Sequence, residues 1–163
     1  MGFDVTLFLD HATRLAVAAV LGGVIGLERE WKGHWAGLRT HMMVALGAAL
    51  FLLVGTIAVK GETAPMARII QGIAEGVGFL GAGAILKLSE QREIRGLTTA
   101  SSIWLAAALG AAAGLGAYAL ATAAICVSIF ILAILLPVEK YFQSRVHVKQ
   151  QEQGDRTSEH TEK

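Results

Sequence analysis

From Gly96 to Val138 the chain has 43 consecutive residues without an Asp, Glu, Lys or Arg. A helix needs about 20 apolar residues to cross the hydrocarbon of a bilayer, so this stretch alone has room for two crossings. No water-facing surface can be built from it. Composition agrees: hydrophobic residues make up 54% and charged ones 17%, where soluble domains carry roughly a quarter charged. A soluble globular domain and a disordered chain are excluded. A net charge of +1 leaves no basic surface for nucleic acid. The sequence predicts an all-α protein whose main solvent is lipid.

The charges divide the chain into apolar blocks, and each block predicts a helix because hydrocarbon offers no partner to an unpaired backbone group. Five transmembrane helices are expected, at about 11–27, 40–59, 69–86, 99–115 and 118–136, with a break near Gly114–Tyr118 separating the last two. Residues 1–138 form the membrane domain and 139–163 a polar, disordered tail. With five spans, eleven Lys and Arg fall on one side and three (Arg14, Lys60, Arg68) on the other. The positive-inside rule then puts the N-terminus outside and the C-terminus in the cytoplasm. The first nine residues carry Asp4 and no Lys or Arg, so the first span is expected to stay rather than be cleaved as a signal peptide. Trp31 and Trp35 predict an interfacial helical turn. Pro65 is expected to mark the turn before the third span.

Alanine and glycine together number 46. Helices in lipid gain little by burying apolar surface against each other, so they associate where small residues let backbones approach. Gly22/Gly26, Gly72/Gly76 and Gly110/Gly114 are such pairs, and Gly78, Gly81 and Gly83 extend the second. These glycines are expected to contact a neighbouring helix or a second subunit, which makes a homo-oligomer the expected state. The single Cys126 reads as a packing residue.

Arg68, Gln71 and Glu75 share one helical face by their spacing. An acid at mid-span costs about 3 kcal/mol when ionised, so Glu75 must face the interior, find a cation or take up a proton. Two readings stay open: a cation or proton site with Gln71 and Glu75 as oxygen donors, or a structural pair with Arg68 or Arg14. Arg14 is also four residues after Asp10, which predicts a local pair. Glu28, Glu30, Glu90 and Glu93 are interleaved with Arg29, Lys32, Arg92 and Arg95, so salt pairing is favoured over a bound Mg²⁺. Five scattered histidines show no zinc spacing. No nucleophile motif or phosphate-cradling loop is present, no cofactor is implied, and the chain is not expected to be an enzyme.

Gly26-Leu27-Glu28-Arg29-Glu30 and Ala36-Gly37-Leu38-Arg39-Thr40-His41 resemble the MgtC/SapB family of bacterial inner-membrane proteins. Arg68 with Gly76-Val77-Gly78-Phe79-Leu80-Gly81-Ala82-Gly83, and Arg95-Gly96-Leu97-Thr98-Thr99-Ala100-Ser101 followed by Trp104, extend the resemblance over about residues 12 to 136. The resemblance implies five helices with a cytoplasmic C-terminus. It also implies a role in low-magnesium adaptation and virulence, through partners among which the F-type ATP synthase is one, with a transporter or channel for Mg²⁺ or another small ion as the alternative. Glu75 stands where that family is expected to carry a small or hydroxyl residue. The short polar tail suits the shorter SapB-type proteins, without a soluble C-terminal domain. The two repeated Arg-Thr segments also predict that Thr40 caps the second helix and Thr98 or Thr99 the fourth. Arg39 and Arg95 would then flank an anion site at two helix N-termini, or simply pair with nearby acids or lipid phosphates.

Overall fold

The computed structural model describes residues 4–59, 62–86 and 96–132, and within them all regular structure is helical. The helices are α1 (Val5–Trp31), α2 (Leu38–Val59), α3 (Thr63–Leu86), α4 (Leu97–Gly114) and α5 (Tyr118–Leu132). The body of the bundle runs to Ile125, and Cys126–Leu132 belong to a second unit. α1, α2 and α4 are each long and apolar enough to cross a membrane. The loop expected at 87–95, the end of the expected fifth span from 133 onward and the expected tail at 139–163 lie outside the described residues.

Local chemistry sets the helix ends. Asp4 caps α1 by accepting from the backbone N–H of Thr6 at 2.9 Å and of Leu7 at 3.2 Å, which satisfies donors that a helix start leaves open. α1 therefore begins well before the expected residue 11 and runs on through Glu28 to Trp31. Trp35 lies beyond it in the loop, so Trp31 and Trp35 do not form one helical turn. Pro65 sits inside the first turn of α3, where its missing N–H removes no helical bond. The expected break between α4 and α5 is present: Leu115 ends α4 and Gly116 turns the chain at φ +74°.

Side chains are sorted by size rather than by polarity. The buried core is mostly alanine, including Ala18, Ala45, Ala49, Ala106 and Ala113, while Phe51, Phe79, Leu120 and Phe130 stand exposed. Water would penalise that arrangement heavily, whereas lipid does not. Cys126, expected to pack, is exposed.

Two of the three glycine pairs bring helix backbones together inside the bundle. A β-carbon on Gly22 would lie 2.5 Å from the His41 carbonyl oxygen, and one on Gly26 would lie 2.7 Å from Leu38 Cα. α1 and α2 thus form a tight antiparallel hairpin. Gly110 and Gly114 sit in the same way against Ala45 and Ala49. Both numbers rise together there, so α2 and α4 run parallel. α3 packs on α4 and more lightly on α2.

Candidate functional site

Among the described residues, four of the five buried polar side chains, Arg29, His41, Thr99 and Ser102, lie where the end of α1 meets the starts of α2 and α4. Arg29, in the last turn of α1, is 1% exposed. Its Nη2 donates to Thr99 Oγ1 at 3.1 Å, and its Nη1 lies 3.9 Å from Glu28 Oε2. Glu28 also pairs with Lys32, one helical turn on. The Arg29 Nε has no hydrogen-bond partner, so a buried cation makes few of the bonds it can make.

His41, in the first turn of α2, is fully buried. Its Nδ1 lies 2.8 Å from the Gly37 carbonyl and its Nε2 lies 3.0 Å from Ser102 Oγ. Ser102 Oγ in turn donates to the Thr99 carbonyl at 2.8 Å. Arg29, Thr99, Ser102 and His41 therefore form one chain of contacts across three helices. In a low dielectric such a network rigidifies the junction it joins. The Ser102–His41 contact has the spacing of a nucleophile and base, yet both side chains are buried and the serine proton is already directed at a carbonyl.

The expected capping residues do different work. Leu38 N–H, at the start of α2, donates to Glu30 Oε2 at 2.7 Å, so Glu30 and not Thr40 fills that helix N-terminus. Gly96 begins α4 at φ 97° with no side-chain cap. Thr98 is exposed and Thr99 is turned inward to Arg29, so neither caps α4. The anion site expected at the two helix starts is thus filled at α2 by the chain's own carboxylate. Arg39 is exposed beside a recess of about 300 Å³ that Glu30 and Trp35 also line. Arg95 lies outside the described residues. In the same loop, burial first and then the positive charge of Arg29 hold the His34 imidazole below its ordinary value, against a smaller opposite effect of Glu28.

Salt pairing at Glu28 is as expected, and so is the Arg14–Asp10 pair at 2.9 Å. Arg14 also donates from Nη1 to the Gly114 carbonyl at 3.1 Å, tying the N-terminal half of α1 to the end of α4. Glu75 pairs with neither Arg14 nor Arg68. It accepts from Gln71 Nε2 at 2.8 Å on an exposed face. Among the described residues no three His, Cys, Asp or Glu gather as a metal site.

Sequence reasoning missed His41 and Ser102 as partners. A signal was available in α4: Thr99, Ser102, Ala106, Leu109 and Ala113 recur at helical spacing, which marks one inner stripe with its hydroxyls confined to the first two turns.

A bundle with an alanine interior and large apolar side chains outside is an integral membrane protein. Residues 15–141 match the model of the MgtC family, and the chain belongs to that family. It is 44% identical over 124 residues to protein SrpB of Synechococcus elongatus, covering 69% of this chain and 68% of that one. It is 42% identical over 127 residues to protein MgtC of Brucella abortus, covering 78% of this chain and 52% of the relative. Against protein MgtC of Salmonella typhimurium it is 42% identical over 120 residues, with 72% and 49% covered. The chain thus spans about half the length of the MgtC proteins it matches. No solved structure matches it.

Proposed function

We propose that this chain is a five-span protein of the bacterial inner membrane, with its N-terminus outside, which regulates other membrane proteins by contact during adaptation to low magnesium. It performs no catalysis. The parallel course of α2 and α4 supports the span count, because a segment between them must return across the bilayer, and α3 is 24 residues long. The observation that carries the contact reading is how the interior is filled. Between Arg14 at one end and the Arg29 junction at the other lie Ala18, Ala49, Leu52, Leu109 and Ala113, all buried. An alanine interior suits a docking body better than an ion path. The F-type ATP synthase is the partner that the family resemblance favours.

Transport remains the second reading, favoured by Gln71 and Glu75 in mid-span. Reconstitution separates the two. Vesicles holding the purified protein are expected to pass Mg²⁺ and protons no faster than protein-free vesicles. Inverted vesicles expressing it are expected to pump fewer protons on addition of ATP than vesicles without it. Mg²⁺ flux that Glu75→Gln abolishes would instead establish a transporter.

A further inference from the structure

Two recesses follow one another along α2. The polar one of about 300 Å³ at the start of the helix is lined by Glu30, Trp35, Arg39 and Thr40 among others. A second, of about 450 Å³, is apolar and lies between α2 and α3. Met43, Gly47 and Phe51 line it from α2, and Gly72, Gly76 and Leu80 from α3. Arg39, Met43, Gly47 and Phe51 are four residues apart, so one ridge of α2 passes through both recesses. From Arg39 to Phe51 that ridge covers about 18 Å, roughly one leaflet's share of the hydrocarbon. A β-carbon on Gly47, Gly72 or Gly76 would meet nothing within 4 Å, so these glycines keep open a space that the chain does not fill. In a bilayer something must fill it, because an empty groove forfeits dispersion contacts along its whole lining. The polar recess carries one charge of each sign. Arg39 is exposed and makes no hydrogen bond or ion pair with the described residues. Glu30 commits Oε2 to the Leu38 N–H, and its Oε1 has no partner among the described residues.

We propose that the two recesses form one site for a zwitterionic, amine-bearing phospholipid: its phosphate on Arg39, its ammonium on Glu30, and one acyl chain in the groove between α2 and α3. The headgroup chemistry follows from the pair of charges. An arginine takes a phosphate through charge-assisted hydrogen bonds, and a carboxylate oxygen takes an ammonium. An anionic phospholipid would satisfy Arg39 but would set a second negative charge beside Glu30. The groove itself fits a chain better than a helix. Between Met43 and Phe51 it runs about 12 Å, and a helix about 10 Å across would need roughly twice its volume over that length. The proposal requires that α2 cross the bilayer. It holds whichever way the bundle faces and whether the protein regulates or transports.

Photolabelling tests it, with the purified protein in phosphatidylcholine vesicles that carry a phosphatidylethanolamine with a photoreactive acyl chain. Peptide mass spectrometry is expected to find label concentrated at Met43, Phe51 and Leu80 and sparse at Val20 on the exposed side of α1. Excess unlabelled phosphatidylethanolamine should suppress the groove label, while phosphatidylglycerol and inorganic phosphate should not. Arg39→Gln should cut the label about tenfold, as the loss of a charge-assisted hydrogen bond does. Glu30→Gln keeps an oxygen for the Leu38 N–H and should abolish the preference for ethanolamine over glycerol headgroups. Gly76→Leu starts its side chain in open space, so it should exclude the label without changing the melting temperature in detergent. Equal labelling at positions 20 and 43 would mean ordinary solvating lipid and overturn the proposal. So would equal suppression by phosphatidylglycerol, suppression by phosphate, undiminished label in Arg39→Gln, or a groove left unlabelled because a protein helix covers it.

Discussion

Arg29 and Thr99 join the end of α1 to the start of α4 through one hydrogen bond of 3.1 Å between two buried side chains. The guanidinium has Glu28 as a distant counter-ion and an Nε without a hydrogen-bond partner, so that single bond matters. Thr99→Val keeps the shape and removes the acceptor, and is expected to lower stability by about 1–3 kcal/mol. The double variant Arg29→Met with Thr99→Val should recover much of the loss, since neither group is then left buried and unmatched. Thermal unfolding in detergent measures both. A neutral Thr99→Val would mean that Arg29 is satisfied some other way.

Gly110 and Gly47 predict opposite responses to the same substitution. A β-carbon at Gly110 would overlap the Ala45 backbone, which cannot yield as a side chain could, whereas one at Gly47 would meet nothing. Gly110→Ala should therefore destabilise by about 1–3 kcal/mol or more, as overpacking does. Gly47→Ala should leave the melting temperature unchanged or slightly raised through better helix propensity. Loss of stability in both would point to general glycine sensitivity rather than to one close contact.

Helix number, order and the α4–α5 break were legible because charge placement and glycine record them directly. Which glycine pair serves which contact was not. Gly22/Gly26, Gly72/Gly76 and Gly110/Gly114 read alike along the chain, and only the packed helices distinguish those that meet a backbone from those that meet nothing. The polar junction was half legible. Arg29 and Thr99 stand within motifs, but His41 reads as one of several scattered histidines, because its partner Ser102 is 61 residues away in sequence. The capping expectations failed for a related reason: Glu30 reaches α2 from across the loop, and that reach depends on where α1 stops.

His34 gives the loop between α1 and α2 a sensitivity to acid. Burial and Arg29 depress its folded-state pKa below the ordinary histidine value, so the unfolded chain binds its proton more readily. Stability is then full above the unfolded pKa, about 6.5, and falls as the pH drops through it toward the folded value. The melting temperature should decrease between pH 7.5 and 5.5, and His34→Gln should flatten part of that slope. His41 and the carboxylates are common to both proteins, so the difference between the two curves isolates His34. Superimposable curves would show that the imidazole titrates freely.

The orientation can be tested at two loops on opposite ends of α2. Eleven of the fourteen Lys and Arg residues fall on the side of the α1–α2 loop if α3 crosses, and the parallel course of α2 and α4 requires a returning segment between them. The segment holding Trp35 then faces the cytoplasm, and Glu62, just before α3, faces outward. In a Cys126→Ala background, Glu62→Cys should react with a membrane-impermeant maleimide on intact spheroplasts. Trp35→Cys should react only after permeabilisation or in inverted vesicles. The reverse pattern would invert the whole bundle. Reaction of both from one side would mean that α2 does not cross, and with it the span count would fail.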